Sequence, residues 1–147
     1  LRSRGTVSKF DFSFLIRSEV GQDVFNNTAL VYATKSNALQ DKNFLKSAVA
    51  DPDSINEPAK FSSRWIEDGS YVRLQNLTIG YTFDLPAFVG AARTTRVYVS
   101  GDNLLLLTGY SGYDPEVHAE SGLASRGIDY LSYPRPRTFT AGLRVTF

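Results

Sequence analysis

At 147 residues the chain is long enough for one domain with a sizeable core, and 16 basic against 15 acidic residues leave a net charge of +1. That balance, with no basic stripe interleaved with aromatics, excludes the electrostatic footprint of a nucleic-acid binder. The absence of cysteine excludes disulfides and Cys-based zinc sites. Apolar runs such as residues 104–107 fall far short of the roughly 18 residues a transmembrane helix needs. A transmembrane strand leaves a weaker trace, because only alternate residues face lipid. A chain that begins at Leu1 without a signal peptide reads as a fragment or a processed product.

The first expected strand covers residues 7–18. Phe10, Phe12, Phe14 and Ile16 share one face, and Asp11, Ser13 and Arg17 the other. Residues 19–69 then form a long connection. Residues 24–32 suit either a strand extension or the start of a helix, and residues 37–49 carry a weak helical pattern. Asp51-Pro52-Asp53 and Glu57-Pro58 punctuate a loop.

The second strand covers residues 70–83. Leu77, Ile79, Tyr81 and Phe83 point one way, but upstream the apolar parity switches to Val72 and Leu74. A one-residue phase shift near Gln75-Asn76 points to a β-bulge, or to a strand end that has left the bilayer. Residues 84–92, with Pro86 and Gly90, form a short turn. The third strand covers residues 93–107, with Val97, Val99, Leu105 and Leu107 opposite Arg96, Tyr98, Ser100 and Asp102. Residues 110–136 are a second long connection. The last strand, residues 137–147, alternates cleanly: Phe139, Ala141, Leu143, Val145 and Phe147 against Thr138, Thr140, Gly142, Arg144 and Thr146.

Alternation alone also fits a soluble sheet that packs one face on a core. The long, short, long order of the connections favours an outer-membrane barrel, with short periplasmic turns and long outer loops. If Phe147 is periplasmic, both long connections lie outside, and Tyr81, Phe83 and Phe147 fall where an aromatic girdle belongs. Four strands cannot close a barrel, so the rest of the wall must come from more of the same protein. The alternative is a soluble β-rich carbohydrate- or protein-binding module, with Phe12, Phe14, Ile79, Leu143, Val145 and Phe147 packed against a second sheet.

The run Trp65-Ile66-Glu67-Asp68-Gly69-Ser70-Tyr71-Val72-Arg73-Leu74-Gln75-Asn76-Leu77-Thr78-Ile79-Gly80-Tyr81 resembles a segment near the C-terminus of SusC/RagA-type TonB-dependent transporters. So do Val97-Tyr98-Val99-Ser100-Gly101-Asp102-Asn103-Leu104, Gly112-Tyr113-Asp114-Pro115-Glu116-Val117, Gly127-Ile128-Asp129-Tyr130, Tyr133-Pro134-Arg135-Pro136-Arg137-Thr138-Phe139 and the closing Gly142-Leu143-Arg144-Val145-Thr146-Phe147. Phe10-Asp11-Phe12-Ser13-Phe14 and Gly21-Gln22-Asp23-Val24-Phe25-Asn26 match more weakly. Residues 30–60 match nothing.

The resemblance implies an all-β fold: the C-terminal strands of a large antiparallel transmembrane β-barrel with long extracellular loops, roughly 22 strands in all around a plugged lumen. It implies residues 1–147 as one part of that barrel, with the plug domain outside it. The implied role is import of bulky nutrients, glycan fragments or peptides, across the outer membrane of a Gram-negative, Bacteroidota-like cell. Implied partners are the remaining barrel and plug, a SusD-like surface lipoprotein, TonB through an N-terminal region outside this chain, the barrel-assembly machinery and outer-membrane lipid. No enzyme activity, cofactor or nucleic-acid partner is implied.

Three sets of residues are candidate sites. Tyr110, Tyr113, Tyr130 and Tyr133 crowd one outer connection, and their flat faces with hydroxyl handles suit internal packing, a partner interface or ligand contact. Phe139, Leu143, Val145 and Phe147 resemble the C-terminal aromatic signal read by the barrel-assembly machinery. Asp114, Glu116, His118 and Glu120, spaced by two, are weak metal candidates. A solvated loop with a turn starting at Asp114-Pro115 is the better reading, since one histidine with no second His or Cys makes a poor metal motif. Asp114, Glu116 and Asp129 offer no nucleophile motif beside them to support a glycosidase-like pair. Arg135 and Arg137 flank Pro136, placed to pin the loop acids or meet lipopolysaccharide phosphates.

Overall fold

A computed structural model describes residues 1–50, 55–85, 94–119 and 125–147. The expected turn at residues 84–92 lies largely outside the described residues, as do Asp51-Pro52-Asp53 and Glu120. The chain divides into two units, one of Leu1–Glu19, Tyr71–Leu107 and Arg135–Phe147, the other of Val20–Ser70 and Thr108–Pro134.

The first unit is a five-stranded sheet in the order β1-β2-β5-β6-β8. Its strands are β1 (Arg2–Val7), β2 (Phe10–Glu19), β5 (Tyr71–Asp84), β6 (Thr94–Thr108) and β8 (Thr138–Thr146). β1 was not expected. Residue 7 belongs to it rather than to the following strand, and Val7 pairs with Phe10 across a two-residue turn. Ser8 takes φ 56°, as primed hairpin turns require. β1 escapes sequence reading because Arg2, Ser3, Arg4, Gly5 and Thr6 carry no apolar alternation.

Register puts like with like. Phe10, Phe12 and Phe14 stand opposite Tyr81, Ile79 and Leu77. Val97 and Val99 stand opposite Leu143 and Ala141, and Gly101 opposite Phe139. Phe10 and Tyr81 touch, with ring centroids 4.7 Å apart. Because side chains alternate with period two, these residues make one apolar face. Phe12, Ile79, Val99, Leu143 and Phe147 are exposed on it, so among the described residues these side chains do not form the buried core that the soluble-module alternative needs. Between Leu15 and Ile16 the register shifts, Leu15 facing Asn76 and Ile16 facing Leu74. Gln75 is the extra residue, and this bulge accounts for the parity switch in the sequence.

The opposite face is polar. The Arg96 guanidinium donates to both Asp11 oxygens, Nε to Oδ1 at 2.7 Å and Nη2 to Oδ2 at 2.6 Å. The two residues sit on β6 and β2, with β5 between them. Gly80 makes that reach possible: a Cβ there would lie 2.5 Å from both Arg96 Nη2 and Asp11 Oδ1. Farther along, Asn76 donates to Asp102 at 2.8 Å and Arg73 to Asn103 at 2.6 Å.

The second unit occupies what the sequence presents as two long loops. It holds a three-stranded sheet in the order β4-β3-β7, with β3 Asp23–Asn26, β4 Ile66–Asp68 and β7 Ile128–Asp129. β4 runs antiparallel to β3. β7 runs parallel to it, with Phe25 opposite Ile128 and Asn26 opposite Asp129. Residues 24–32 thus resolve into both readings in turn, the end of β3 and then α1 (Asn27–Ala33), whose first turn is capped by Asn26. Residues 37–49 form two short 3-10 segments, Lys35–Gln40 and Lys46–Ala50, rather than one α-helix.

Val24, Tyr110 and Val117 form the small core of this unit. Gly127, at φ 77°, ties the segments by its backbone, accepting from Phe25 N at 2.8 Å and donating to Val117 O at 3.1 Å. Some of the stretches that carried the resemblance fall in this unit: residues 21–26, 65–70, 112–117 and 127–130.

Candidate functional site

Three chain segments meet at Asn26. Its Oδ1 accepts from Ala29 N at 2.8 Å, capping α1. Its Nδ2 donates to Glu67 Oε1 at 2.9 Å and to Ser111 Oγ at 3.2 Å. Glu67 in turn accepts from Ser111, Oγ to Oε1 at 2.8 Å and N to Oε2 at 2.9 Å. Asn26 is buried, so this wiring satisfies a polar side chain that would otherwise cost stability.

Two residues along, Thr28 Oγ1 donates to Asp129 Oδ1 at 3.2 Å and accepts from Leu131 N at 2.7 Å. Tyr110 donates its hydroxyl to Asp129 Oδ2 at 2.7 Å. Asp129 is 5% exposed and Tyr110 likewise 5%. Burial, reinforced by the Asp129 carboxylate, pushes the Tyr110 hydroxyl far above the ordinary phenol range. Tyr110 therefore stays neutral and acts as a fixed donor.

This floor underlies an open groove of about 810 Å3, lined on its apolar side by Tyr32, Phe44, Leu45, Tyr113, Leu131 and Tyr133. The four candidate tyrosines separate. Tyr110 is interior packing and cannot meet a ligand or partner. Tyr113 and Tyr133 are 76% and 90% exposed and line the groove. Tyr130 is also exposed but does not line it.

Asp114 is buried, and its Oδ1 accepts from Glu116 N at 2.9 Å, the turn expected of Asp-Pro. Among the described residues no three His, Cys, Asp or Glu side chains gather as a metal ion would need. Phe139, Leu143, Val145 and Phe147 are all exposed, the first three on β8 and Phe147 just beyond it. Arg135 is placed by its carbonyl, which accepts from Asn103 Nδ2 at 2.8 Å.

Asn26, Thr28, Glu67 and Ser111 were not singled out from sequence. An Asn directly before an apolar helical run is a readable N-cap signal. The partners of Glu67 and Ser111 lie 41 and more residues away and leave no local trace.

No family model matches the chain. It is 38% identical, over 94% of its length, to the TonB-dependent receptor P3 of Formosa agariphila. It is 29% identical, over its whole length, to the TonB-dependent receptor SusC of Bacteroides thetaiotaomicron. The chain spans only 15% of the length of either relative. Among solved structures it superposes on the RagAB peptide transporter with a TM-score of 0.71 at 23% identity, covering 95% of this chain and 16% of that one. The RagAB peptide importer in its open-open state gives 0.69 at 22%. At those identities the superpositions speak to the fold.

Proposed function

From a chain that is SusC/RagA-like over nearly all its length, we propose that the five-stranded sheet is a section of the barrel wall of an outer-membrane TonB-dependent importer. Its apolar face meets lipid, and its polar face meets the lumen. The second unit is then built from outer loops. The parent protein imports a bulky nutrient, glycan fragment or peptide, with energy delivered through TonB and a SusD-like lipoprotein at its outer surface. The proposal extends to Phe139, Leu143, Val145 and Phe147, whose shared apolar pattern is what the barrel-assembly machinery would read.

The observation that carries this reading is the in-register apolar face left exposed among the described residues, from Phe12 and Ile79 to Val97 and Leu143. In water such a face would be an aggregation surface; in a bilayer it is the solvated one. The test is a pair of substitutions in the full-length parent. Leu143→Arg puts a charge on the lipid face, at a cost of about 2–4 kcal/mol near the bilayer midplane. Thr140→Arg puts the same charge on the polar face. Leu143→Arg should deplete folded barrel from outer membranes while Thr140→Arg leaves it near normal. Equal tolerance of both, or a detergent-free soluble parent, defeats the reading.

A further inference from the structure

We infer that the strand next to β8 in the parent protein presents a carboxylate to Arg144. This rests on the wall reading above and names the chemistry of the surface that continues the sheet. Arg144 on β8 stands directly opposite Arg96 on β6, and like charges facing across a ladder repel. Asp11 answers one of the two, since both its oxygens accept from Arg96. Two further carboxylates of this face are engaged elsewhere, Asp102 with Asn76 at 2.8 Å and Asp84 with Lys9 at 3.5 Å. Among the described residues Arg144 forms no ion pair. The row that crosses the sheet through Asp11, Gly80, Arg96 and Arg144 thus ends at β8 on a surplus cation.

The surroundings of Arg144 set the side from which its counter-ion comes. Across β6 stands Arg96. Two residues back on the same face of β8 is Gly142, and the Tyr98 ring fills the place a Cβ would take there. The Arg96 guanidinium lies over that same ring, 5.0 Å from its centroid. Both approaches are therefore taken, by a cation and by a ring. The other edge of β8 has no strand beside it in this sheet. In a bilayer that edge needs a further strand to satisfy its backbone groups. The chain spans 15% of its relatives' length, so the rest of the parent is large enough to supply one. A residue opposite Arg144 on that strand has its Cβ about 4.5–5.5 Å away, close enough for an ion pair. A carboxylate there does for Arg144 what Asp11 does for Arg96.

The experiment is a structure of the full-length parent in detergent, followed by a double-mutant cycle. The Arg144 guanidinium should lie within about 4 Å of an Asp or Glu on the strand paired with β8. Arg144→Gln should lower the folded-to-unfolded ratio at the parent's urea midpoint roughly two- to fivefold, while Arg144→Lys should keep most of it. Neutralising the partner acid as well should cost little more than either change alone. The sign of the Arg144→Gln effect is the discriminating readout. With no acid beside it, removing Arg144 only relieves its repulsion with Arg96, and the variant would match or exceed the parent. That result overturns the proposal. So does a structure in which Arg144 meets an acid from the barrel interior, a lipid phosphate or water alone. Either failure would leave the wall reading standing, because that depends on the separate Leu143→Arg and Thr140→Arg comparison.

Discussion

Arg96 on β6 reaches past the intervening strand β5 to grip Asp11 on β2 with two hydrogen bonds, at 2.6 and 2.7 Å, through a notch that exists because residue 80 has no side chain. Three strands are thereby held by one ion pair. Directly across from Arg96 on β8 stands Arg144. Asp11 is thus the carboxylate that offsets a like-charge pair, which is unfavourable when opposed across a ladder.

Filling the notch should break the strap. Gly80→Val is expected to displace the guanidinium and destabilise the sheet by about 1–3 kcal/mol, combining overpacking with lost charge-assisted bonds. Chemical denaturation of the full-length protein in detergent measures it. Asp11→Asn should lose part of the same stability. If Gly80→Val behaves as the parent does, the notch is unimportant.

Tyr110→Phe removes the buried hydroxyl that faces Asp129 Oδ2. Leaving that oxygen without its donor should cost about 1–3 kcal/mol. The loss should be local, seen as faster amide hydrogen exchange in α1 and at residues 127–131, with the strands of the first unit unchanged.

The same hydroxyl gives an alkaline limit. Its value in the folded chain is raised, so its contribution is complete below the ordinary phenol value of about 10 and is lost as pH rises toward the folded one. Limited proteolysis across alkaline pH should therefore show cleavage in the second unit beginning above that ordinary value in the parent. Tyr110→Phe should be cleaved more readily at neutral pH and lack the Tyr110 component of this transition.

Asp68 gives the acid counterpart. Its Oδ1 accepts from Ser70 N at 2.8 Å, and the Ser70 hydroxyl and amide hold the carboxyl below its usual range. A depressed carboxylate stabilises above its unfolded value, and that contribution is lost as pH falls through the folded one. Exchange of the Ser70 amide should stay protected at neutral pH and rise only at acid pH. In Asp68→Asn the protection should already be weak at neutral pH.

Asn26→Ala removes one helix cap and two side-chain donations at once. The cap alone is worth about 1 kcal/mol. The variant should lose protection in α1 and at Ser111 together, whereas a capping role alone would move only α1.

Most of the five-stranded sheet was legible in the sequence because its strands present alternate residues to different surroundings. Phe10, Phe12 and Phe14, or Leu143 and Val145, declare a strand without help from anything distant. Even the bulge at Gln75 shows as a broken parity. β1 did not, since Arg2 and Arg4 alternate with nothing apolar. The second unit was the larger omission. β3, β4 and β7 are two to four residues each, too short for period two to register, and their pairing is set by partners far along the chain, as Asn26 with Asp129. Of the candidate tyrosines, sequence grouped four alike. Only the hydrogen bond to Asp129 sets Tyr110 inside while Tyr113 and Tyr133 stand open.

The parallel pairing of β3 with β7 also fixes a chronology. Phe25 and Ile128 come from opposite halves of the chain, so neither stretch can settle until the other has been synthesised and brought alongside. β2 with β5 and β6 with β8 close shorter loops than β3 with β7 does. Contacts of high sequence separation form slowly because the intervening loop must first be closed. The hairpin β1–β2 is therefore among the earliest pieces able to form, and the groove over Asp129 is among the last.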